Sequence, residues 1–178
     1  MAKHFTEIDA AAQAFIAQQK LFFVATAAPE GRVNLSPKGQ DTFRVLGPNR
    51  VAWLNLTGSG NETAAHLREQ NRITIMFCAF EGKPNILRLF GSASVFHLRD
   101  AEWDELYALF PDLPGARQVL VVDVDLVTTS CGMAVPFMSF EAERDELNRN
   151  MEKRGPAKVQ EYWQERNRLS LDGKPTGI

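Results

Sequence analysis

The short connections between apolar runs constrain this chain's fold more than any other feature. Runs rich in β-branched and aromatic residues occur at LFFVATA (21–27), RVNLSPKG (32–39), FRVL (43–46), RVAWLNL (50–56), RITIMFCAF (72–80), NILRLFGSASVFHL (85–98) and RQVLVVDVDLVTT (117–129). Several are joined only by turn formers: APEG, Gly47-Pro48-Asn49 and EGKPN. A parallel pair needs a crossover of a dozen or more residues, so these connections disfavour a doubly wound sheet and predict a mainly β fold, an antiparallel β-barrel with flanking α-helices. Helices are expected after an N-cap at Thr6, with Ile8, Ala11, Ala12, Phe15 and Ile16 on one face, and over NETAAHLREQ. Another should run from Asp100 through DAEWDELYALF and stop before Pro111. Two polar helices, around AERDELNRNMEK and PAKVQEYWQERNRL, close the chain. The organisation is read as a single domain over 1–178, with a barrel core over about 20–130 and a helical C-terminal extension over about 140–178. The tail SLDGKPTGI needs a neighbouring surface to hold it in place.

At 178 residues and 44% hydrophobic content the chain can bury a core without disulfides or a structural metal. Twenty Lys plus Arg against 22 Asp plus Glu give a net charge of -2, with no global attraction to nucleic acid or to an anionic membrane. No apolar run approaches the roughly 20 residues that span a bilayer, and the N-terminus lacks a secretory leader pattern, so a cytoplasmic location is expected. Cys78 and Cys131 read as reduced thiols. His4, His66 and His97 have no metal-ligand spacing, and no nucleophile elbow or paired carboxylates stand out.

Two segments have the residues for binding an anion. Strand alternation places Arg32, Asn34, Ser36 and Lys38 on one face, opposite Val33 and Leu35. Two cations, an amide and a hydroxyl form either an anion-binding surface or the solvated outer face of an edge strand whose edge Pro37 protects. The second segment runs from VAWLNL through Thr57-Gly58-Ser59-Gly60 into Asn61-Glu62-Thr63. A glycine loop entering a helix offers unpaired backbone N–H groups, to which Ser59, Asn61 and Thr63 add donors. An ordinary capped helix, with Ser59 or Asn61 as cap, has the same pattern. Both segments belong to one sheet, so their convergence on a single phosphate is credible. Trp53 lies near enough in sequence to the loop to flank a bound ring.

In that order, FFVATAAPEGRVNLSPKG, VAWLNLTGSGNETAAHL, RITIMFCAF, ILRLFGSA and TTSCGMAVPFM resemble the FMN-binding split-barrel proteins related to pyridoxamine 5'-phosphate oxidase. The resemblance implies an antiparallel FMN-binding split β-barrel and a flavin-dependent oxidoreductase. It also implies a homodimer with the cofactor at the interface, and a place for Cys131-Gly132-Met133 and the tail near the partner chain's cofactor. It assigns cofactor binding to Arg32, Asn34, Ser36 and Lys38, to Thr57, Ser59, Asn61 and Thr63, and to Trp53 and Asn55 at the flavin border. Two departures stand out: TGSGNET has no counterpart of the cations of the family's Ser-Arg-Lys run, and the C-terminal Arg-x-His element that grips pyridoxal compounds is missing. A non-catalytic module for FMN, haem or another small ligand, and a deazaflavin-dependent reductase, are the alternatives. No residue identifies the substrate or a catalytic acid or base.

Overall fold

The computed structural model describes residues 3–178. Its strands are β1 (Lys3–Phe5), β2 (Phe22–Thr26), β3 (Asn34–Lys38), β4 (Phe43–Gly47), β5 (Arg50–Leu56), β6 (Ile73–Cys78), β7 (Ile86–His97) and β8 (Ala116–Ser130). The helices are α1 (Ala10–Gln18), α2 (Glu62–Glu69), α3 (Trp103–Tyr107) and α4 (Glu146–Arg166). All strand pairs are antiparallel, in the order β3-β2-β6-β7-β8-β5-β4, with β1 beside the far end of β8. This is the antiparallel barrel that the short connections predict, in the split form that the resemblance implies.

The long strands β7 and β8 form the spine. They pair from Ile86↔Ser130 to His97↔Gln118, with a bulge between Phe90 and Gly91 that lets the sheet bend. Backbone approaches so closely there that a Cβ on Gly91 would lie 2.0 Å from the Asp123 carbonyl oxygen. Inside the barrel, Phe22, Val24, Val51, Trp53, Ile75, Phe77, Leu87, Leu89, Leu120 and Val122 form the main core, and Phe43 packs edge-on to Phe22 and Phe77. On the opposite face Ala52, Leu54, Val119 and Val121 pack under Trp103 and Phe110. Burial of both faces explains the nearly unbroken apolar runs VAWL and VLVV.

Four local expectations need correction. Asp9, not Thr6, caps α1, accepting a 2.7 Å hydrogen bond from the Ala12 N–H. The helix placed at Asp100 spans only Trp103–Tyr107. The two C-terminal helices form one run broken at Gly155, whose φ of 73° departs from helix just before Pro156. The short strand β1 pairs with β8 where no strand was expected. Three residues are too few for a periodic signal. Both cysteines are free, Cys78 buried and Cys131 exposed.

Candidate functional site

Alternation along β3 turns Asn34, Ser36 and Lys38 inward and leaves Val33 and Leu35 exposed. These polar groups join those of neighbouring elements. Asn34 Nδ2 donates to Thr63 Oγ1 at 3.1 Å, the Ser36 hydroxyl donates to Asn34 Oδ1 at 2.9 Å, and Lys38 Nζ donates to Asn55 Oδ1 at 3.3 Å. Asn55 Nδ2 in turn donates to Gln118 Oε1 at 3.1 Å, tying β5 to β8. The strand and the start of α2 thus face each other across one cavity of about 550 Å³.

Seven of the ten residues singled out in the sequence line this cavity: Asn34, Ser36, Lys38, Asn55, Ser59, Asn61 and Thr63. The other three have different surroundings. Trp53 is fully buried in the barrel core, two residues before Asn55 on the same strand face. The Thr57 hydroxyl donates to the Gly115 carbonyl at 2.7 Å and accepts from Trp163 Nε1 at 2.8 Å, so it fastens α4 to the barrel. Arg32 is exposed and pairs with Asp172 of the tail.

The helix start is not an ordinary cap. Asn61 stands at the N-cap position of α2 without a side-chain capping bond. Both of its side-chain polar atoms are buried without a partner, and the residue is only 2% exposed. Buried amides are nearly always satisfied, so a pair of orphaned atoms on a cavity wall is a mark of a ligand position.

Sequence reasoning missed Arg117, which is 3% exposed and lies at the start of β8 on the same cavity. Its Nη1 donates to Asn167 Oδ1 at 2.6 Å and to the Gly60 carbonyl at 3.1 Å, and its Nε has no partner. Burial lowers its pKa to about 10. Burial, and then the nearby charge of Arg117, lower that of Lys38 to about 8. Among the described residues neither cation forms an ion pair with a carboxylate. Glu62 lies on the cavity wall, but its carboxylate accepts from the Leu171 N–H at 3.0 and 3.1 Å.

Residues after α4 complete the wall. Leu169, Ser170 and Leu171 border the cavity. The segment is held by the backbone N–H of Arg32 donating to Asp172 at 2.7 Å, by Lys174 pairing with Glu69 at 2.5 Å, and by the Thr176 hydroxyl donating to the Asn167 carbonyl at 2.6 Å. The surface the tail needs is therefore supplied by its own chain. Hydrogen bonds from Arg32 hold the Asp172 carboxyl below its usual range.

The fold and this cavity place the chain in the class of antiparallel split barrels with a polar site between the edge strand β3 and the glycine-loop helix α2. A family model described as "Pyridoxamine 5'-phosphate oxidase" matches residues 8–131, well over half of the chain, and the protein belongs to that family. The pyridoxamine 5'-phosphate oxidase family protein ustO of Aspergillus flavus is 39% identical over 183 residues, covering 89% of this chain and 71% of the relative. The fold is shared with solved structures of HupZ from Group A Streptococcus. One of these, of a single-residue variant, has a TM-score of 0.57 at 18% identity, covering 69% of this chain and 99% of that one. A candidate pyridoxamine 5'-phosphate oxidase of Lactobacillus delbrueckii has a TM-score of 0.54 at 15% identity, covering 69% and 94%.

Proposed function

We propose that this protein binds FMN in the cavity between β3 and the start of α2 and acts as a flavin-dependent oxidoreductase. The observation that supports this most directly is the pair of orphaned Asn61 side-chain atoms, on a cavity shared with Ser36 and with cations that have no counter-ion among the described residues. The donor set suits a phosphate monoester. Lys38 supplies charge, Ser36 and Ser59 supply short neutral donors, and the glycine loop brings backbone N–H groups at a helix start. Asn34 and Thr63 hold that wall in place through their mutual hydrogen bond. FMN, when bound, supplies hydride or electron transfer, and the protein's task is to bind and orient it.

A second reading, a non-catalytic carrier or sensor for FMN, haem or a related ligand, has one observation in its favour. Glu62 is the cavity's one carboxylate among the described residues, and it is engaged by the tail. Titration with FMN, deazaflavin and haem, followed by assay of bound flavin for turnover with NADH, NADPH or an amine, separates the readings. FMN binding with turnover supports the oxidoreductase. FMN binding without turnover favours the carrier, and failure to bind FMN removes both flavin readings.

A homodimer with the cofactor at the interface is part of the same proposal. Val33 just before the edge strand β3 and Leu35 on its outer face, with Met133, Phe137 and Met138 after β8, are exposed apolar side chains suited to a partner chain. The cytoplasmic location belongs to the proposal too, and no helix among the described residues is long and apolar enough to cross a membrane.

A further inference from the structure

We infer that Arg117, held in place by Asn167, is the phosphate-recognising cation of the cavity and stands in for the cations that the glycine loop lacks. The inference rests on the FMN reading for the identity of the ligand. The anion itself is inferred from the geometry of the cavity.

Arg117 is buried, yet every partner it has is neutral: Asn167 Oδ1 and the Gly60 carbonyl, both reached through Nη1. A guanidinium removed from water ordinarily has a carboxylate beside it. Here its Nε is left without any acceptor, on the wall that also holds Lys38, whose hydrogen-bond partner is the neutral Asn55. A buried guanidinium and a half-buried ammonium on one cavity, with no counter-ion among the described residues, call for an anion from outside the chain, and a dianion matches both. The planar guanidinium suits the tetrahedral oxygens of a phosphate monoester, to which it can donate two parallel hydrogen bonds.

The position of Arg117 is built rather than incidental. Asn167, the C-cap of α4, accepts from Arg117 through its side-chain oxygen and donates from Nδ2 to the Gly58 carbonyl at 3.2 Å. Its backbone carbonyl receives the Thr176 hydroxyl. One buried residue therefore joins the glycine loop and the cation through its side chain and the tail through its backbone. Asn167 lies beyond residues 8–131, so the C-terminal extension supplies a positioning residue that the matched part of the family does not include.

The test compares FMN with riboflavin, which lacks the phosphate, in the wild type, Arg117→Gln and Arg117→Lys, with folding checked by circular dichroism and thermal melting. The wild type should prefer FMN, and Arg117→Gln should lose about 10- to 150-fold of that preference while riboflavin affinity stays the same. Arg117→Lys should recover part of it. A wild type that binds riboflavin as tightly as FMN, or folded variants that keep the full preference, would overturn the inference. Pyrophosphate serves as a flavin-free probe in the same melts. If no flavin binds but pyrophosphate raises the melting temperature of the wild type and not of Arg117→Gln, the anion site stands and the FMN reading falls. If pyrophosphate protects both equally or neither, with no flavin bound, the inference is overturned.

Discussion

Lys38 is the residue at which burial, charge and ligand binding meet most directly. If it contacts phosphate, Lys38→Ala removes a charge-assisted hydrogen bond, and FMN affinity should fall about 10- to 150-fold by fluorescence titration. Equal affinity in the mutant would remove Lys38 from the site. The pH dependence has a definite sign. Burial and Arg117 lower the Lys38 pKa from 10.5 to about 8, so the unfolded chain binds more protons than the folded one between those values. The unliganded protein should therefore gain stability, on the order of 2 kcal/mol, as pH rises from about 8 to about 10, and Lys38→Met should flatten that rise in urea denaturation. FMN affinity should move the opposite way, falling above pH 8 as Lys38 loses its proton. The other charged groups around the cavity are Arg117, Arg166 and Glu62, and phosphate stays dianionic throughout this range. A flat profile of wild-type affinity between about pH 7 and pH 9.5 would contradict the assignment.

At the scale of elements, the strands were legible because their turns are spelled out in glycine, proline and asparagine, and β3 was legible because its polar residues alternate. That alternation put Asn34, Ser36 and Lys38 on one face, which the structure turns toward the cavity, together with Arg32, which the structure leaves exposed on Asp172. Arg117 was not, because it opens an apolar strand and only the β5–β8 register, with Asn55 opposite Gln118, brings it to the glycine loop. No local pattern encodes that pairing. Trp53 was placed beside the cofactor by nearness in sequence, whereas its position two residues before Asn55 on the same strand face already lies within the core. The tail was legible as composition but not as structure, since its anchors, Arg32, Glu62 and Glu69, lie more than 100 residues away. Removing residues 169–178 should leave the barrel folded, open the cavity wall and speed FMN release, which stopped-flow displacement would read. An unchanged release rate would make the tail irrelevant to the ligand. The bulge in β7 has its own requirement: Gly91→Ala sets a methyl group against the Asp123 carbonyl and should destabilise the protein by at least ~2 kcal/mol in urea melts.

For the molecule as a whole, the split barrel supplies two walls of the cavity and the C-terminal extension supplies the third. The family model matches residues 8–131, which include the first two, and the residues after α4 close the third. Exposed apolar groups on β3 and after β8 lead to a further expectation: sedimentation should give a dimer, and Leu35→Asp should shift it toward monomer. A wild-type monomer would refute the shared interface. The central claim is that the cavity holds FMN, and the most direct measurement is the flavin absorbance of the purified protein before and after titration with FMN. The account predicts saturable binding of one FMN per chain, with a shifted flavin spectrum. A colourless protein whose addition leaves the FMN spectrum and fluorescence unchanged would contradict it.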